Sequence, residues 1–263
     1  MESEARAHRP FGSVGPAGIT YLHPHNPNVV AWWSAAFPGF GHLLLHRYVI
    51  GVLLTLSEVI INTLGHVNEA MVYSFCGQFE LAKQIVDPEY MYGYMAVYFW
   101  SICDSRRNAN EMCRLSEASA IERKGAVRTY RLSMWGIDYL ARRRPALGAF
   151  CSAIFPGLGQ LYTGRLFIAF YAIFWWWIYA VNSNVFLVLL ELFHGRVAGA
   201  SAMLDPHWLL FMPSVMGGAV YHGYYAAREN NRFFRVEQRR YLEAEYQPSA
   251  FLPMRGMSDS EVD

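Results

Sequence analysis

Charge is what this chain has least of. Asp, Glu, Lys and Arg make up only 16% of its 263 residues, against roughly 25% in soluble domains, and they are missing from long blocks. The net charge of +1 argues against a nucleic-acid binder, whose basic face would dominate the balance. Cysteine is equally sparse. Cys76, Cys103, Cys113 and Cys151 have no CxxC spacing, which argues against a disulfide framework or a zinc site. No basic segment followed by an apolar run opens the chain, so no cleavable signal peptide is expected. Nor is there a Ser, His and Asp arrangement of the GxSxG kind. The expectation is therefore no enzyme, no cofactor and no metal site.

What is present is apolar: 54% hydrophobic and 16% aromatic residues. A mean hydropathy of +0.12 here averages very apolar runs with strongly polar segments, the pattern of a polytopic membrane protein. The runs are organised around a stretch that occurs twice, AWWSAAFPGFGHLLLHRYVIG from Ala31 and AFCSAIFPGLGQLYTGRLFIA from Ala149. Ungapped alignment pairs Ser34 with Ser152, Pro38-Gly39 with Pro156-Gly157, Gly41 with Gly159 and Arg47 with Arg165. That is an internal repeat.

The chain divides into a flexible tail (1–27), a first membrane repeat (28–115), a basic polar linker (116–145), a second membrane repeat (146–240) and a polar C-terminal tail (241–263). Each repeat opens with a Pro-Gly segment that breaks its helix. A clean helical run follows, YVIGVLLTLSEVIINTL at 48–64 in the first copy and an aromatic-rich run at 166–181 in the second. The first is about long enough to cross a thin bilayer. The run at 91–103 is short for a span on its own. If every apolar segment crossed, the basic linker and the basic C-terminal tail would lie on opposite sides. If each Pro-Gly segment dips in and returns, both tails, Arg47, the linker and Arg165 share one side, and the acidic 65–89 connection takes the other. The positive-inside bias selects the second arrangement, with cytoplasmic tails and linker.

A GxG turn, a Tyr-x-Gly or Gly-Arg loop, an apolar helix and a second helix ending in an aspartate resemble the TM2 domain, a two-helix membrane module. Gly157, Gly159, Tyr162, Gly164 and Arg165 carry the resemblance in the second copy, and Gly39, Gly41 and Arg47 in the first. Asp104, Ser105, Arg107 and Asn110 resemble the element that closes each hairpin in bacterial proteins with two such modules. The second copy departs from it, with Ala227 in place of the aspartate. In the first copy His46 and Ile50 stand at or near an expected glycine. The resemblance implies an integral protein of the cell membrane and brings no established chemistry.

Among single residues Glu58 is the sharpest, a carboxylate inside an apolar helical run where ionisable groups are costly and commonly functional. It reads either as a proton or cation site, or as a protonated acid joining helices through His42, His46 or His222. The second copy has Trp176 at that position, which speaks against a role common to both repeats. His42 and His46, spaced i, i+4, read as interfacial histidines, because a metal site normally needs a third ligand. Ser34 and Ser152 read as packing residues. Glycines 39, 41, 157 and 159, with Pro38 and Pro156, read as the re-entrant turns.

The fold expected is all-α, an integral membrane protein of two tandem repeats, each a Pro-Gly re-entrant or broken helix plus a two-helix hairpin. The function expected is a non-enzymatic membrane scaffold or interaction protein. The alternative is a small transporter or channel with a pathway between the repeats near Glu58. The partners expected are the bilayer, anionic lipid headgroups at the basic linker and tail, and a protein partner or second copy of the chain.

Overall fold

The computed structural model describes residues 12–15, 18–21, 24–121, 130–133 and 136–246. Most of the N-terminal tail, the linker residues 122–129 and the C-terminal residues 247–263 lie outside the described residues. The architecture is all-α, with two short antiparallel hairpins, β1 (Gly12–Gly15) with β2 (Gly18–Tyr21) and β3 (Tyr130–Ser133) with β4 (Gly136–Tyr139). Residues 12–21, read from sequence as part of a flexible tail, thus pair across Gly15 and Gly18.

The first half contains α1 (Pro27–Ala36), α2 (Phe40–Leu44), α3 (Tyr48–Leu64), α4 (Val67–Phe75), α5 (Phe79–Ile85) and the 34-residue α6 (Pro88–Ile121). The second contains α7 (Pro145–Ile154), α8 (Leu158–Tyr162), α9 (Leu166–Asn182), α10 (Val185–Phe193), α11 (Val197–Met203), α12 (Pro206–Leu209) and the 36-residue α13 (Phe211–Tyr246). Helices α7 to α11 have the lengths of α1 to α5 at one constant spacing, and Pro206 stands where Pro88 does.

Local chemistry accounts for the breaks. The residue before a proline is pushed toward extended backbone, and Phe37 (φ −159°, ψ 117°) and Phe155 (φ −152°, ψ 121°) end α1 and α7 in that conformation. Gly39 and Gly157 then take φ of +97° and +104°, a region open to glycine at no steric cost. The chain doubles back. Gly41 comes against the Val30 carbonyl and the Ser34 side chain, and Gly159 against the Gly148 carbonyl and Ser152. Any Cβ at either glycine would overlap those atoms. Further on, His66 (φ 52°) and Asn184 (φ 58°) turn the chain through the left-handed region. They bend α3 against α4 by 65° and α9 against α10 by 58°.

Among the described residues no single helix is long and apolar enough to cross a membrane, but each bent pair is by length and composition. The 91–103 run belongs to α6, which continues unbroken into the basic segment. Helix α1 packs on α6 and α2, α3 on α6, and α7 and α9 on α13. The halves meet through an aromatic core in which Phe37 and Val59 of the first lie among Trp175, Tyr179, Phe211 and Val215 of the second. Phe37 and Phe211 are edge to face at 5.9 Å, and Tyr179 stacks on Phe211 at 5.0 Å.

Candidate functional site

Polar groups that a sheltered interior would have to satisfy gather in three places, and two of them share one end of the molecule. In the first half Asp104, on α6, is buried. It accepts from His42 Nε2 at 3.1 Å, from Asn108 Nδ2 at 2.7 Å and from Arg107, and Arg47 stands 3.5 Å away. The aspartate and arginine of the hairpin-end motif are therefore brought together with the repeat arginine. Asn110 is exposed and faces away from them. Asn108 is the asparagine that serves this carboxylate. His42, read from sequence as interfacial, is fully buried and stacks on Trp100.

The second cluster joins the halves. Arg165, just before α9, is 1% exposed and paired with Glu229 of α13, itself 2% exposed. His46, from the first half, reaches into this pair. Its Nε2 lies 3.2 Å from Glu229 Oε1 and its Nδ1 lies 3.2 Å from Arg165 Nη1 and 2.9 Å from the Tyr48 hydroxyl. A guanidinium only donates and a carboxylate only accepts. The ring must therefore carry its proton on Nε2 and accept at Nδ1.

His46 holds φ of +59°, and Gly164, its counterpart in the second half, holds +77°. The turn demands the left-handed region in both halves. Only the first accepts the strain of a side chain there, roughly 1–3 kcal/mol, and that side chain is the one that crosses the junction.

Glu229 is the residue that sequence reasoning missed. Aligning the hairpin ends put Ala227 opposite Asp104 and left the second half without an acid. Glu229, two positions later on α13, supplies it. The signal was available, since Glu229 is the first acidic residue after the apolar run of α13.

The third place surrounds Glu58, buried on α3. Its Oε1 accepts from Asn62 Nδ2 at 3.1 Å and from the Tyr94 hydroxyl at 3.2 Å. The sequence candidates His42, His46 and His222 are not its partners, because His42 and His46 are engaged at the other clusters. From Asn62 the amides continue through Asn68 Oδ1 at 3.0 Å to the His207 carbonyl, 3.0 Å from Asn68 Nδ2. Thr63 Oγ1 lies 3.1 Å from His207 Nε2. This chain ties α3 and α4 of the first half to α12 of the second.

No family model, no curated protein and no solved structure matches this chain. The three sites must be read from their own chemistry. Among the described residues no three His, Cys, Asp or Glu side chains cluster for a metal. Each site ties helices together through side-chain hydrogen bonds. Between the halves a cavity of about 50 Å³ remains, walled mainly by apolar and aromatic side chains such as Phe40, Leu43, Ile168, Trp175 and Val215.

Proposed function

We propose that this chain is an integral membrane protein built from two TM2-like units, and that it acts as a non-enzymatic scaffold whose rigid paired units present the basic linker to a partner. Its outward faces support the membrane reading. On α3, Val49, Leu53, Leu56 and Ile60 are exposed, and on α9, Phe167, Phe170, Phe174, Trp177 and Val181. Steps of three and four residues make each set a continuous apolar stripe, an arrangement costly against water and at rest against lipid.

The observation that carries the scaffold reading is the seam between the units. A transporter needs a polar route between its halves at mid-depth. Here that space is taken by Phe37, Val59, Trp175, Tyr179, Phe211 and Val215, and the residual cavity of about 50 Å³ has room for little more than a water or two.

The transporter reading keeps one observation of its own, since Glu58 Oε2 is buried and makes no hydrogen bond to protein. Flux separates the two. Purified protein in liposomes is expected to pass no protons or monovalent cations above empty vesicles, with Glu58→Gln behaving alike. Flux that Glu58→Gln abolishes would replace the scaffold with a carrier. Extraction of cell membranes at alkaline pH is expected to leave the protein in the pellet.

A further inference from the structure

Glu58 sits on the inner face of α3 with Thr55, Val59 and Asn62, all of them buried. Its counterpart in the second half is Trp176, packed edge to face on Phe155 at 6.4 Å. The fold therefore accepts an apolar residue at this place and makes no demand of its own for an acid. What surrounds the carboxyl is polar but uncharged. Asn62 of its own helix and Tyr94 of α6 both donate to Oε1, at 3.1 and 3.2 Å. Tyr98 of α6 and Tyr179 of α9 also lie within electrostatic reach, but the Tyr98 hydroxyl donates to the Ala35 carbonyl. Asn68 of α4 holds Asn62 from the far side, and the Thr55 hydroxyl is spent on the Gly51 carbonyl. Among the described residues no Lys, Arg or His hydrogen-bonds to Glu58.

Two donors on one oxygen leave the other bare, and Oε2 is buried with no hydrogen-bond partner in the protein. An ionised carboxylate spreads its charge over both oxygens and offers about four lone-pair positions. With one oxygen unserved and no cation beside it, burial of that charge costs more than two neutral donors return. A proton lowers the cost from that of a charge to that of one hydroxyl. We propose that Glu58 is a proton-binding site, and that the folded protein carries a proton on Glu58 Oε2 in neutral solution.

The proton is then a ligand of the fold, taken up as α3, α4, α6 and α9 close around the acid. A glutamate in the unfolded chain is ionised above about pH 5, so there the unfolded chain binds one proton fewer than the folded one. Stability must fall as pH rises through that range. Glu58→Gln keeps an acceptor for Asn62 and Tyr94 and needs no proton, so it escapes the loss.

The test compares the full-length wild type with Glu58→Gln in a neutral detergent. Infrared spectra of protein carrying isotope-labelled glutamate, at about pH 7, are expected to contain the carbonyl stretch of a protonated carboxyl that Glu58→Gln lacks. Every other titrating group is common to the two proteins. The folding equilibrium constant of the wild type is therefore expected to fall relative to the variant by up to about tenfold for each pH unit between about 5 and 7.

If Glu58→Gln fails to fold, Tyr94→Phe keeps the acid and removes one donor from Oε1. In that variant the carboxyl band is expected to persist at higher frequency, because a carbonyl with fewer donors is stiffer. Carboxylate bands alone at about pH 7, or a wild-type stability that rises with pH relative to Glu58→Gln, would overturn the proposal. Flux that Glu58→Gln abolishes would overturn the scaffold reading and leave the bound proton in place, since the band is read without transport.

Discussion

At the scale of single residues, His46 separates strain from bonding. His46→Ala keeps the left-handed turn and loses the contacts to Glu229, Arg165 and Tyr48, whereas His46→Gly loses the contacts but relieves the backbone. Chemical denaturation is expected to rank the glycine variant more stable than the alanine variant by about 1 kcal/mol, with both below wild type. Glu229→Ala is expected to cost more, about 3–5 kcal/mol, because it strands a buried guanidinium. A smaller loss than in His46→Ala would show that the junction does not depend on the ion pair. The arginines were legible in the sequence because they recur at matched positions. Their acids were half legible: Asp104 sits in a motif, but Glu229 is displaced along its helix, and only the packing of α13 against α9 brings it to Arg165.

At the scale of elements, the Pro-Gly turns are where local sequence and packing agree most closely. Proline, the extended residue before it and a glycine at positive φ come straight from backbone sterics. Gly41 and Gly159 have a different reason, close approach to α1 and α7. Gly159→Ala drives a methyl into the Gly148 carbonyl and Ser152 and is expected to destabilise by about 1–3 kcal/mol or more, read as a lower unfolding temperature. Gly164→Ala, at a site with open space around it, is expected to cost only its backbone strain, of order 1 kcal/mol.

The bends after α3 and α9 were not legible as bends: Gly65 marks where α3 ends, but the turn falls on His66 and, in the second half, on Asn184. Beyond the first bend, α4 packs on α12. In that contact burial lowers the pKa of His207 below its ordinary 6.5, against the raising influence of Asp205 and Glu69. A base with a lowered folded-state pKa contributes stability above the unfolded value and loses it as pH falls below. The wild type is therefore expected to lose more stability between about pH 7 and 5 than His207→Gln, and identical pH profiles would remove His207 from the account.

At the scale of the whole molecule, the connections α4–α5 and α10–α11 lie at the end opposite the ion clusters, with Thr63, Glu69, Asn184 and Asp205 around one open pocket. In the proposed membrane arrangement both connections face the same compartment. Single cysteines introduced at Gly77 and Gly195, in a background lacking the native cysteines, are expected to react with an impermeant maleimide from one side only. Reaction from opposite sides would rule out the parallel arrangement of the two units.

The sequence by itself determined the helical class, the breaks at Pro38 and Pro156, the limits of α3 and the recurrence of one order of elements, because these depend on backbone sterics and on apolar periodicity along a few consecutive residues. It also put Arg47 and Arg165 at equivalent points. Only the tertiary structure decided that His46 leaves its own half for Glu229, that Asn62 and Tyr94 rather than a histidine serve Glu58, and that the seam between the halves is filled by aromatic rings. Asn62 sits one turn from Glu58 on the same helix, but Tyr94 to Glu58, His46 to Glu229 and the rings of the seam join residues far apart in the chain, and their meeting follows from how α13 and α6 dock, a geometry that no local pattern encodes.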